Sequence, residues 1–251
     1  MYQVLLLKKY PMGCPTRYSV SSNQQKDQFM QLYHGSKNII EKPIYAFGKT
    51  TNDYGQGFYC TKEIALAKEW ACAEQENGYA NEYELNTKGL TMMDFSAEEY
   101  SAMNWLAVLI NNRKLSLTSP IMKAGREYIL ENFLVDISAC DLIKGYRADD
   151  SYFQFVRAFL SNTISYEQLK EALVLGKLGE QYTLKSERAF KRIKFVAAHP
   201  AETAIYFPQK VSRNRQAEKE YAKILEKSGF GGLRLSTIIE EGIGNEDPRI
   251  R

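Results

Sequence analysis

Polar and apolar positions alternate over short stretches near the start of the compact region and then recur at helical spacing. Leu32-Tyr33-His34 reads as a short strand. Asn52-Asp53-Tyr54-Gly55-Gln56-Gly57 is a turn-rich loop that leads into a second strand at Phe58-Tyr59-Cys60. Thr61 is placed to cap a helix with Glu63 in its first turn; Ile64, Ala67, Trp70, Ala71 and Ala73 form its apolar side and Gly78 ends it. Glu82-Tyr83-Glu84-Leu85 alternates as a half-buried strand does, and helical periodicity follows over residues 97–113 and 125–133, with Gly89 and Pro120 marking the breaks before each.

The second half continues the alternation. Residues 151–160 carry Phe153, Val156, Phe159 and Leu160 on one helical face, and Ser165 and Gln168 have capping-box spacing before Leu169, Ala172 and Leu173. After Gly176 and Gly179, Tyr182-Thr183-Leu184 is a short strand, Ser186 caps a brief helix, and residues 193–195 form another strand. Residues 211–228 read as a charged helix with a thin apolar stripe at Ala217, Tyr221, Ile224 and Leu225. This order predicts an α+β fold with helices inserted between strands of a mixed or antiparallel core. Residues 1–29 show neither period and are expected to form a flexible N-terminal arm, so that the compact domain, and a candidate natural start, lie at Met30. The expected organisation is arm 1–29, compact domain 30–197 and a basic helical C-terminal extension 198–251.

Composition narrows the class. With 44% apolar and 25% charged residues, the 251-residue chain can bury one sizeable core. No apolar run approaches a membrane span, and residues 4–7 are too short a run for a signal peptide, so a cytoplasmic protein without membrane partners is expected. Cys14, Cys60, Cys72 and Cys140 show no metal-ligand spacing and are expected to be buried, reduced thiols. The net charge of +3 divides unevenly: residues 30–184 hold 15 Lys and Arg against 20 Asp and Glu, whereas residues 185–227 hold 11 against 5. Such a basic flank either steers a polyanion or is a solvated helix face.

Of the two histidines, His34 lies where a strand reaches Gly35 and Ser36. A glycine there permits another molecule to approach the backbone, although His34 can equally be a structural histidine. Gly55-x-Gly57 lacks both the third glycine of a dinucleotide fingerprint and a GK[ST] sequence. What this segment offers is an aromatic, Tyr59, behind a loop. Asp149-Asp150 fits paired carboxylates, a metal site or a helix cap before Ser151; Arg147 beside them suits either pyrophosphate or a surface salt bridge. His199 has no evident partner and reads as structural.

Taken together, Leu32-Tyr33-His34-Gly35-Ser36 and Tyr54-Gly55-Gln56-Gly57-Phe58-Tyr59 resemble the ADP-ribosyltransferases of the diphtheria-toxin and poly-ADP-ribose-polymerase type, which carry His-Gly-Ser and Gly-Lys-Gly-Ile-Tyr-Phe strands in that order. The likeness is closer to an uncharacterised bacterial domain-of-unknown-function family of that fold, whose pattern is similar to Tyr33–Ser36, Asn52–Thr61, Gly145-Tyr146-Arg147-Ala148-Asp149-Asp150 and Gln181-Tyr182. It covers roughly residues 31–196. The resemblance implies an ADP-ribosyltransferase-like core with a central NAD cleft.

By that resemblance, the catalytic residues are His34, Tyr59 and Gln181. His34 would bond the adenosine ribose, Gly35 the nicotinamide carboxamide and Ser36 a ribose; Tyr59 would stack on the nicotinamide ring. Trp70 matches a second stacking aromatic, with core burial the alternative. Two departures stand out. Ala67 occupies the place of a carboxamide-binding serine, and Gln181 the place of a glutamate that supplies charge. Glu180 is adjacent, but strand neighbours point to opposite faces, and Gln181 fits the pattern better.

The implied activity is mono-ADP-ribosyl transfer from NAD, as co-substrate and without a metal, to a macromolecular acceptor, protein or nucleic acid. Transfer to water, making an NAD glycohydrolase toxin, and an inert domain binding NAD, ADP-ribose or a protein are the alternatives. The resemblance also implies a bacterial toxin or phage-defence effector with a neutralising antitoxin.

Overall fold

The structure, a computed structural model, describes residues 28–148, 152–175, 179–227 and 231–251. It is an α+β fold with one antiparallel and one mixed sheet. The elements run β1 (Phe29–Ser36), β2 (Phe58–Cys60), α1 (Ile64–Ala71), β3 (Gly78–Asn86), β4 (Met92–Asp94), α2 (Ala102–Asn112) and α3 (Pro120–Phe133). They continue as β5 (Leu142–Tyr146), α4 (Tyr152–Leu160), α5 (Tyr166–Leu173), β6 (Glu180–Leu184), α6 (Glu187–Phe190), β7 (Ile193–Ala201), α7 (Thr203–Lys227) and α8 (Leu235–Glu240). The first sheet has the order β1-β3-β7, and the second β2-β6-β5-β4, with β4 parallel to β5. Tyr33 and Thr61 join the two by exchanging backbone hydrogen bonds of 2.7 and 2.9 Å.

Local chemistry sets most boundaries. Ser165 and Gln168 form both halves of the expected capping box on α5, and Ser186 caps α6 through the Ala189 amide at 3.1 Å. Ser101 and Asn104 make a second capping box that starts α2 at Ala102 rather than near residue 97. Thr61 does not cap α1: its hydroxyl accepts from the Glu63 amide in a turn, and Glu63 precedes the helix with no side-chain cap. Nor does Gly78 end α1, because the helix stops at Ala71 and a tight turn pairs Ala73 with Glu76 before Gly78 opens β3. The polar run at residues 74–77 offers nothing to pack, so helix continuation gains nothing there. Pro120 is the first residue of α3, where its missing N–H is no loss, so this helix begins earlier than residue 125.

Two elements outrun their sequence patterns. β7 continues through His199 and Pro200 to Ala201; it is an edge strand, where a proline is tolerated. α7 begins at Thr203 despite Pro208 inside it, and Tyr206 and Phe207 pack against Ala71, Cys72 and Ala201. That packing offsets the backbone bond lost at the proline.

The main core surrounds α2, whose residues 103–110 are all buried. Leu235, Ile238 and Ile250 are fully buried in it, each worth about 1.5–3 kcal/mol of burial, and the Tyr166 hydroxyl donates to the Ile250 carbonyl at 2.6 Å. A second cluster fills the space between the sheets with Leu32, Phe58, Cys60, Tyr83, Leu85, Tyr182 and Leu184. Cys60, Cys72 and Cys140 are buried and outside any disulfide, as expected; Cys14 lies outside the described residues. Among the described residues no helix is long and apolar enough to cross a membrane.

Candidate functional site

A cavity of about 860 Å³ is lined by the end of β1, by β2, by Gln181 of β6, by Trp70 of α1, by Arg113 after α2, by Arg147 and Ala148 after β5, and by the segment between β1 and β2. Its volume is in the range of small-molecule sites. His34, Gly35, Tyr59, Trp70, Arg147 and Gln181 all face it; Ser36 does not. The Ser36 hydroxyl instead donates to the Asn38 carbonyl at 2.6 Å and accepts from the Asn38 amide, closing the turn that leaves β1.

His34 is held by its neighbours on β2. Its Nδ1 lies 2.7 Å from the Tyr59 carbonyl, and its ring stacks on Phe58 at 4.3 Å. A carbonyl only accepts, so Nδ1 carries the proton. Burial pushes the imidazole below its usual range, against the pull of that backbone bond, and the neutral ring therefore presents Nε2 as an acceptor. Gly35 lines the cavity and also has a packing reason. A Cβ there would come within 2.1 Å of the Ala67 carbonyl oxygen, so the glycine admits helix α1 against β1.

Tyr59 is fixed by its hydroxyl, which donates to the Gly55 carbonyl at 2.6 Å and accepts from the Tyr54 amide at 3.0 Å. Burial raises this phenol well above its usual range, so it stays protonated. Gly55 makes the loop by adopting φ 73°, and Lys185 staples it through the Tyr54 and Gln56 carbonyls. Trp70 is half-buried, and the Arg147 guanidinium lies over its ring at 4.5 Å.

Gln181 is buried on the cavity side of β6, whereas Glu180 is exposed on the other face with its carboxylate 2.7 Å from Lys144. The Gln181 Nε2 donates to Asp53 Oδ2 at 2.9 Å and to the Tyr146 carbonyl at 3.0 Å. The Tyr146 carbonyl can only accept, so the amide orientation is determined and the carbonyl oxygen of Gln181 is the part left for a ligand.

Three residues that sequence reasoning did not single out complete the arrangement. Asp53 is 6% exposed and also accepts from the Ala148 amide at 3.0 Å, with Arg113 Nε 3.6 Å from its Oδ1. Burial raises its carboxyl, opposed by the bonds from Ala148 and Gln181 and by Arg113 and Arg147. Asn81, fully buried in β3, donates to the His34 and Asn38 carbonyls and accepts from the Ile40 amide, which positions the rim segment. A polar amide inside an otherwise apolar-facing strand is the one signal that marks Asn81 in advance. Beyond it the rim is apolar and outward-facing, with Phe47 82% exposed.

Asp149, Asp150 and the helix start expected at Ser151 lie outside the described residues, and with them the capping role expected of the two aspartates. Among the described residues no group of three or more His, Cys, Asp and Glu is arranged to hold a metal ion. His199, which has no evident partner in sequence, pairs with Glu82 across β3 and β7 at 2.5 Å, away from the cavity lining.

No match was found among curated proteins or among solved structures. Residues 30–195 match the family model described as protein of unknown function (DUF3990), and the chain belongs to that family.

Proposed function

We propose that this chain is an NAD-dependent mono-ADP-ribosyltransferase that moves ADP-ribose to a macromolecular acceptor and releases nicotinamide. One observation carries the reading: five of the six residues singled out by likeness to that enzyme class, drawn from four separate stretches of chain, line a single cavity, and Arg147, whose planar fork suits pyrophosphate, lines it with them. The chemistry of the lining suits the substrate. Nε2 of His34 accepts from a ribose hydroxyl, the Tyr59 ring offers a stacking face for nicotinamide, and the guanidinium groups of Arg113 and Arg147 suit a pyrophosphate. The carbonyl oxygen of Gln181 accepts from the nicotinamide ribose. The resemblance further carries the proposal of a toxin or phage-defence role with a neutralising partner, which co-purification from a native host would test.

A second reading, an inert NAD- or ADP-ribose-binding domain, draws on the amide at Gln181, which brings no charge. Purified protein that binds NAD by calorimetry yet releases no nicotinamide selects it. For the transferase, labelled NAD added with cell lysate is expected to label a polymer, and protease or nuclease digestion identifies which; free ADP-ribose alone points to water as the acceptor. His34→Ala is expected to weaken NAD binding about tenfold, the value of one hydrogen bond in a desolvated site. Unchanged affinity in that variant contradicts the assignment of the cavity.

A further inference from the structure

In the proposed reaction the bond between ribose C1′ and the nicotinamide nitrogen breaks, and its electron pair leaves with nicotinamide. The positive charge of the pyridinium passes to C1′ and the ribose ring oxygen. An acceptor hydroxyl, amine or water then bonds C1′ and gives up its proton to solvent. A cation forming in a water-poor site is stabilised by negative charge already in place. Gln181 brings none, and Glu180 is committed to Lys144 on the opposite face of β6. Among the described lining residues only two carboxylates are present: Glu41, exposed on the rim, and Asp53.

We infer that Asp53 supplies the negative charge of this site, acting through Gln181, which is the positioning residue between it and the ribose. The inference rests on the transferase reading. Its geometry is specific: Oδ2 accepts from Gln181 Nε2 at 2.9 Å and from the Ala148 amide at 3.0 Å, so the carboxylate is immobilised behind the amide. Donation from an amide N–H to a carboxylate polarises the amide and makes its oxygen a stronger acceptor, which is the atom that faces the substrate. Arg113 and Arg147 oppose the cost of keeping the anion buried without cancelling it. A purely structural role, bonding Ala148 and Gln181, needs an oxygen acceptor but no charge, and an asparagine meets it.

The two positions are reciprocal, so the charge can be moved. Asp53→Asn is expected to lower kcat for nicotinamide release about a hundredfold, the size of one lost electrostatic contact in such a site, while NAD affinity by calorimetry stays within about threefold. Adding Gln181→Glu to Asp53→Asn transposes carboxylate and amide, and is expected to recover at least about tenfold of that loss. Wild-type kcat in folded Asp53→Asn, or no recovery in the folded double variant, overturns the inference while leaving the transferase reading intact. A wild-type protein that neither binds NAD nor releases nicotinamide overturns both. Should Asp53→Asn fail to fold, the double variant decides: kcat within about tenfold of wild type supports the inference, and kcat as low as that of Gln181→Ala overturns it.

Discussion

Asp53 and Asp141 are buried to nearly the same degree, 6% and 4% exposed, yet their surroundings drive the two carboxyls in opposite directions. Burial alone would raise both. Around Asp141, bonds from Arg188, Ser186 and Thr91 overcome it and bring the carboxyl down to about 2. Its oxygens receive the Thr91 amide at 2.7 Å, the Thr91 hydroxyl at 2.9 Å, the Ser186 hydroxyl and the Arg188 guanidinium. Asp53 has two donors on one oxygen and only a 3.6 Å approach from Arg113 on the other, and burial wins. A saturated buried carboxylate ties loops together, here the starts of β4, β5 and α6. One left short of donors in a cavity wall keeps accepting capacity for another use, at a cost to stability.

That contrast can be broken at several points. The largest effect is expected at Gln181, which stands between Asp53 and the cavity: Gln181→Ala should raise the barrier to nicotinamide release by about 2.7–4 kcal/mol, roughly a hundred- to thousandfold in rate. Glu180→Ala, on the far face, should cost far less; the reverse ranking, measured by nicotinamide release, would refute the placement of the amide in the chemistry. Next comes Asp141→Asn, which strands several donors and should destabilise the fold by about 1–3 kcal/mol in urea titration while leaving NAD affinity alone. Loss of NAD binding in the folded fraction would show that Asp141 is not merely a tie.

Smaller is the expected effect of Asp53→Asn on stability, and its sign is opposite. Asp141 titrates lower folded than unfolded, so its contribution is present at neutral pH and is lost as pH falls from about 4 through about 2. Asp53 holds its proton more tightly when folded, so its ionisation lowers stability as pH rises through and above the ordinary carboxylate range. Asp53→Asn should therefore match or exceed the wild-type melting temperature at pH 7, with the advantage vanishing toward pH 3; a melting point several degrees lower at pH 7 would contradict the contrast. The smallest effect belongs to Ser36→Ala. With its hydroxyl closing the turn to Asn38, NAD affinity by calorimetry should stay within about twofold, and a tenfold loss would mean that this turn reopens to meet a ribose.

Much of the arrangement was readable in advance because it depends on neighbours in the chain. The Ser165–Gln168 capping box, the Ser186 cap and the short strand at residues 58–60 are decided within a few residues, and they appear where the pattern places them. Strand alternation correctly separated Gln181 from Glu180. What escaped was governed by distant partners. Asp53 looked like one more turn former in Asn52-Asp53-Tyr54-Gly55; its pairing with Gln181 joins residues 128 apart. The start of α7 was hidden because Pro208 argues against a helix until Tyr206 and Phe207 meet Ala71, Cys72 and Ala201. Leu235, Ile238 and Ile250 are too few and too scattered to announce that they fill the main core.

The amino-acid sequence by itself determined the α+β alternation, the caps that start α5 and α6, and the presence of a His-Gly-Ser and a Gly-x-Gly-Phe-Tyr segment, because periodicity and capping act over one or two turns of chain. Only the tertiary structure decided that α1 packs against Gly35, that the Gln181 amide commits its nitrogen to Asp53 and Tyr146, and that a carboxylate lies behind it. Those outcomes depend on close packing and on which buried acceptors happen to face which donors, and neither is a property of any local stretch of sequence.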